Sequence, residues 1–157
     1  GMSYVAIFDA TGDGRNEVLL NGSTWRYDPA KETMIALPGT SELPRGDTVL
    51  CDYDRDGLTD VYVLDSGARA PGDLARAFFD DERIAGRENR LFRNLGGGRF
   101  EDVTARTNAS GGHGRTFAAF WIYANDDALP DLVAATADRH SQQRLRFVER
   151  VVARLGR

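Results

Sequence analysis

Nine residues, Asp52 to Asp60, read DYDRDGLTD and stand between the apolar runs TVLC and VYVL. Four aspartates in so short a span repel one another and disfavour both helix and strand, so the stretch must be a loop and the flanking runs must carry the regular structure. VYVL is β-branched and aromatic, which reads as a strand. Carboxylates at positions 1, 3 and 5 of a tight turn converge on one point, and Asp52, Asp54 and Asp56 have that spacing. Gly57 at position 6 permits the chain reversal. Leu58 can offer its backbone carbonyl at position 7, and Asp60 closes the shell at position 9. An all-oxygen, carboxylate-rich shell suits Ca²⁺ better than Zn²⁺ or copper. The metal-free alternative is an Asp-rich turn that caps its own backbone, but two aspartates would suffice for that. An EF-hand is excluded on two counts. Its loop needs a bidentate acid at position 12, here Val63, and it lies between helices.

The pattern recurs. DATGDGRNE, Asp9 to Glu17, matches it position by position. Asp9, Thr11 and Asp13 take positions 1, 3 and 5, Gly14 is position 6, Arg15 offers the position 7 carbonyl, and Glu17 is position 9. An eroded third copy, YANDDALPD, runs from Tyr123 to Asp131. It keeps Asn125, Asp127 and Asp131 at positions 3, 5 and 9 and the Leu129 carbonyl at position 7. Tyr123 replaces the first carboxylate, and Ala128 replaces the glycine. The loops begin 43 and then 71 residues apart. The first interval is what one four-stranded propeller blade needs. The second equals a blade plus an insertion of about 28 residues. The insertion is visible as PGDLARAFFDDERIAGRE, Pro71 to Glu88, where Leu74, Ala77, Phe78 and Ile84 have helical spacing and Asp73 can serve as N-cap.

These residues resemble the FG-GAP/VCBS repeats, the β-propeller blades of integrin α-subunit heads and many bacterial secreted proteins. DYDRDGLTDVYV looks like the cation-loop half of such a blade, NRLFRNLGGGRFEDVTA (Asn89 to Ala105) like its second half, and FAAFWIYANDDALPDLVA like the opening of the next. The resemblance covers most of residues 3 to 137 and implies a calcium in each intact loop, between the first and second strands of a blade.

The expected architecture is therefore mainly β, a partial propeller. Blade one spans about residues 3–40. Blade two spans about 47–106 with the helical insertion at 71–88, and a partial blade three spans about 115–137. Residues 138–157 form a tail in which Leu145, Val148, Val152 and Leu155 fall on one helical face. A C-terminal amphipathic helix is the expectation, with RLRFVE as a third strand of blade three as the alternative. Fewer than three blades cannot close a ring. The chain is thus expected to belong to a longer propeller, to self-associate, or to cap its open face with the tail.

A net charge of −4 and a pI near 5.2 argue against a nucleic-acid partner. No stretch approaches a transmembrane span. Cys51, the single cysteine, forms no internal disulfide and reads as a small buried hydrophobe. Millimolar calcium is an extracellular condition, which places the expected location outside the cell or in the periplasm. No signal-peptide pattern is present, and Gly1-Met2 reads as a cloning remnant. The outstanding carboxylates are assigned to cations, and neither His113 nor His140 has a nucleophile beside it in sequence, so no enzyme is expected. The expected role is a calcium-dependent binding, adhesion or scaffold module for a protein or glycan. A purely architectural part of a larger secreted protein and a propeller lyase or hydrolase are the alternatives. Trp25, Tyr27, Phe120 and Trp121 could stack on sugars, but all four sit in expected strands and read first as core.

Overall fold

The computed structural model describes residues 3–64, 88–111, 115–137 and 146–151. Their regular structure is almost entirely antiparallel β. Each cation-loop sequence separates two short apolar runs, and each pair of runs closes as a hairpin around it. Strands β1 (Val5–Phe8), β2 (Glu17–Leu20), β3 (Ser23–Asp28) and β4 (Thr33–Ala36) form a meander in that order. A second meander follows from β5 (Asp47–Cys51), β6 (Asp60–Leu64), β7 (Arg90–Asn94) and β8 (Phe100–Asp102). After one helical turn, α1 (Thr104–Thr107), come β9 (Arg115–Ile122), β10 (Asp131–Ala137) and β11 (Arg146–Val151), with β10 in the centre. The Gly96–Gly98 turn joins β7 to β8, with Leu95 N–H donating to the Arg99 carbonyl at 2.8 Å.

The tail corrects an expectation. Residues 146–151, including Val148, form a strand paired with β10 from Leu132↔Val151 to Thr136↔Arg146, where the apolar spacing predicts a helix. The free edge of β10 presents backbone N–H and C=O groups that a neighbouring strand satisfies and a packed helix would not. Leu145, Val152 and Leu155 lie outside the described residues, as does the expected helical insertion apart from Glu88.

The three sheets stack on one another. Alternation along β6 sends side chains to both sides, and the whole strand is buried. Val61 and Val63 pack with Phe8, Leu19, Leu43 and Phe92 between the first and second sheets. Tyr62 and Leu64 pack with Tyr53, Leu91, Val103 and Leu132 between the second and third. The first strands of the sheets approach one another, β1 against β5 and β5 against β9. Residues 37–46 strap the first two sheets together: Leu43 N–H donates to the Gly22 carbonyl at 2.9 Å and Ser41 N–H to the Gly98 carbonyl at 2.8 Å.

Among the described residues the outer face of the first sheet is apolar and exposed. On the first sheet the cross-strand pairs Val5↔Leu20 and Tyr27↔Met34 place four exposed side chains on one face, with Ile7 beside them. Phe120 is exposed on the third sheet. Of the four aromatics expected in the core, Trp121 comes nearest, partly buried, stacked on Tyr53 with ring centroids 6.5 Å apart, and packed against the second core cluster. Tyr27 and Phe120 are exposed instead, and Trp25 is half-buried. Cys51 is only partly buried, and burial together with the nearby Asp60 and Asp52 charges pushes its thiol up to about 11. No helix among the described residues is long and apolar enough to cross a membrane.

Candidate metal centre

All three loops lie at the same place in their hairpins, and they touch in a row. The Arg55 guanidinium of the second loop donates to the Ala128 carbonyl of the third at 3.2 Å, and the β7–β8 turn reaches the first loop, where Gly97 N–H donates to the Thr11 carbonyl at 2.7 Å. Gly12 has φ +75°, and a Cβ there would sit 2.7 Å from Leu58 Cδ2. The Leu58 side chain thus joins the first loop to the second, a role that its expected duty as a carbonyl ligand does not reveal.

The Asp52 loop is built from its first carboxylate outward. Asp52 Oδ1 accepts from Asp56 N–H and Oδ2 from Gly57 N–H, both at 3.0 Å. These bonds wind the turn, and Gly57 meets it with φ +89°. At the other end Asp60, buried at 1 % exposure, accepts from Tyr53 N–H at 3.0 Å and Asn94 N–H at 2.8 Å. Burial pushes its carboxyl up to about 7. The two N–H bonds act against that, and the Asp54 and Asp56 charges add to it. Oxygens of Asp52, Asp54 and Asp60 all come within 4.8 Å of one another. Asp56 turns aside: its Oδ1 accepts from Leu58 N–H and its Oδ2 from the Arg93 guanidinium at 2.8 Å. Arg93 Nε also lies 2.6 Å from Asp54 Oδ2. That leaves Asp54 Oδ1 buried with no hydrogen-bond partner among the described residues. Such a group costs about 1–3 kcal/mol, more when charged, and a hard cation would satisfy it. The donor set is wholly oxygen and thus fits Ca²⁺.

The Asp9 loop repeats the winding. Asp9 Oδ1 accepts from Gly12 N–H at 2.7 Å and Asp13 N–H at 3.1 Å, and Oδ2 from Gly14 N–H at 2.7 Å. Asp13 Oδ1 accepts from Arg15 N–H at 3.0 Å. Its far end differs. Glu17, fully buried, accepts from Thr11 N–H at 3.1 Å and from Arg26. Arg26 also donates to Thr11 Oγ1 at 3.0 Å and Asp13 Oδ2 at 2.7 Å. Burial pushes the Asp13 carboxyl up, but the Arg15 N–H and Arg26 outweigh it and hold it below its ordinary value. Asp9, Asp13 and Glu17 do not form a close carboxylate trio, which among the described residues only the Asp52 loop has; instead Thr11 Oγ1, Asp13 Oδ2 and Glu17 Oε1 all meet on Arg26 Nη2.

The third loop satisfies itself. Asp131 accepts from Ala124 N–H at 2.9 Å and from the Asn125 amide at 3.4 Å, while Asn125 Oδ1 accepts from Asp127 N–H at 2.8 Å. Asp127 Oδ1 accepts from Leu129 N–H at 3.0 Å. Ala128 stands at φ +61°, where the other two loops have glycine. Tyr123, in place of the first ligand, is exposed.

Three residues of the site escape the loop motif: Arg26, Arg93 and Asn94. They arrive from β3 and β7, the third strands. The signal for the arginines is an aromatic–arginine pair, Trp25-Arg26 and Phe92-Arg93, but the insertion between β6 and β7 hides its spacing. No protein-family model matches the chain, and no curated protein matches it.

Proposed function

We propose that the chain is a calcium-binding segment of FG-GAP/VCBS type, with its sheets as propeller blades, acting outside the cell or in the periplasm as a binding or scaffold module for a protein or glycan. One observation carries the metal: Asp52, Asp54 and Asp60 converge while Asp54 Oδ1 is buried without a partner. The propeller reading is supported by stacked meanders whose first strands approach one another. The exposed apolar face of the first sheet supports a further blade or a second copy as its neighbour. Calcium offsets much of the loop's negative charge and fixes the β5–β6 hairpin, so its role here is structural. The surfaces left for a ligand are the loop row and the exposed Phe120 of the third sheet.

A second reading has its own support. Arg26 and Arg93 already pair with loop carboxylates, which favours a purely architectural segment that needs no ion. Thermal melting separates the two. A ligand that binds only the folded state adds about 2.7 kcal/mol at a hundredfold excess over Kd. The protein should melt several degrees higher in millimolar calcium than in chelator, and Asp54→Asn should lose most of that gain. A melting temperature indifferent to calcium would support the ion-free reading.

A further inference from the structure

Arg26 and Arg93 occupy equivalent places in their sheets. Trp25 pairs with Val18, and Phe92 pairs with Val61. Val18 and Val61 each follow the last loop residue, Glu17 and Asp60, and each arginine follows the paired aromatic. The same strand position therefore delivers a guanidinium to the same loop positions twice. Arg26 reaches position 3 at Thr11 and position 5 at Asp13; Arg93 reaches position 3 at Asp54 and position 5 at Asp56. These are the side chains that a bound cation would draw on.

We propose, on the calcium reading above, that Arg26 and Arg93 are resident counter-ions of the loops, and that a divalent cation must displace them to bind. Each guanidinium brings one positive charge where the ion would bring two, so it holds the carboxylates together without neutralising them. In the Asp52 loop this leaves Asp54 Oδ1 unsatisfied, and the ion has something to gain by entering. In the Asp9 loop Arg26 also binds Glu17, so positions 3, 5 and 9 are all engaged and the threshold for entry is higher. Both side chains are partly exposed, 27 % for Arg26 and 34 % for Arg93, so each head can move toward water as the ion enters. In the third loop Asp131 is held by the Asn125 amide, and the arginine that reaches this loop, Arg55, donates to the Ala128 backbone carbonyl rather than to a carboxylate.

The test is titration of the full chain with calcium chloride by calorimetry, paired with melting in chelator. Arg93→Gln should bind calcium at least about fivefold more tightly than the wild type, the lower end of ordinary coupling between two ligands. Arg93→Lys, which keeps the charge, should stay nearer the wild-type affinity. Arg26→Gln should add a second binding event. In chelator Arg93→Gln should melt lower than the wild type, because its carboxylates have lost their counter-ion, and calcium should reverse this. Wild-type binding with unchanged or weaker affinity in Arg93→Gln would overturn the proposal and leave the calcium reading standing. Absence of calcium binding in both the wild type and Arg93→Gln would overturn both. Binding in Arg93→Gln alone would support the displacement.

Discussion

The Asp9 and Asp52 loops share their turn and differ at positions 3 and 9. In both, the first aspartate caps N–H groups three to five residues ahead, position 5 caps position 7, and glycine takes position 6 at positive φ. At position 9 they part. Both position 9 carboxylates are buried, but Asp60 is anchored by the N–H groups of Tyr53 and Asn94, and its carboxylate joins those of Asp52 and Asp54. Glu17 is one methylene longer, and its carboxylate passes to Thr11 N–H and Arg26. With threonine at position 3 the Asp9 loop also lacks the carboxylate that Asp54 supplies. The difference teaches that one motif can gather its oxygens on a guanidinium, as at Arg26, or gather three carboxylates and leave one oxygen unsatisfied, as at Asp54.

The largest effect should come from converting one loop into the other. Thr11→Asp with Glu17→Asp gives the Asp9 loop the ligand set of the Asp52 loop. Because ligand charge tunes calcium affinity over orders of magnitude, calorimetry should show a new site or one tightened by about tenfold or more. In chelator the double variant should melt lower, since an added carboxylate is left crowded. An unchanged titration would mean that side-chain length at position 9 does not decide convergence.

A smaller effect separates the third loop from the other two. Ala128 holds at φ +61° what Gly14 and Gly57 hold without a Cβ. The left-handed conformation costs a residue with a Cβ roughly 1–2 kcal/mol, partly offset by the greater freedom of an unfolded glycine. Ala128→Gly should stabilise the protein by up to about 1 kcal/mol, seen as a higher denaturant midpoint in calcium and in chelator alike. A gain that appears only in calcium would show that the third loop binds the ion after all.

The smallest effect provides a reference away from the loops. Arg90 on β7 pairs with Asp102 on β8, and Thr104 donates to the same carboxylate from its N–H at 2.9 Å and its hydroxyl. Burial pushes the Asp102 carboxyl up, but the Thr104 and Arg90 contacts outweigh it and hold it below its ordinary value. A depressed carboxylate contributes stability above its unfolded value of about 3.9, and that stability disappears as pH falls through the folded value. At one-third exposure the contribution is less than about 1 kcal/mol. Asp102→Asn should therefore melt slightly below the wild type at pH 6, with the gap closing below about pH 4 and no dependence on calcium. A gap that persists unchanged at pH 3 would assign the loss to packing rather than to charge.

By itself, the sequence determined the loops and the hairpins around them. The bonds that wind each turn run from one side chain to N–H groups within five residues, and the flanking strands are set by β-branched, apolar composition. Both are local causes, so residue order carries them in full. Only the tertiary structure decided which oxygens meet. Arg26, Arg93 and Asn94 come from third strands and reach the loops because strand pairing places them there. In the second sheet an insertion of unpatterned length separates them from the motif. The same holds for the tail: the spacing of Leu145, Val148 and Val152 is helical, but residues 146–151 are a strand because the open edge of β10 has backbone groups to satisfy. A spacing rule describes a segment alone, and these outcomes were set by what each segment was placed against.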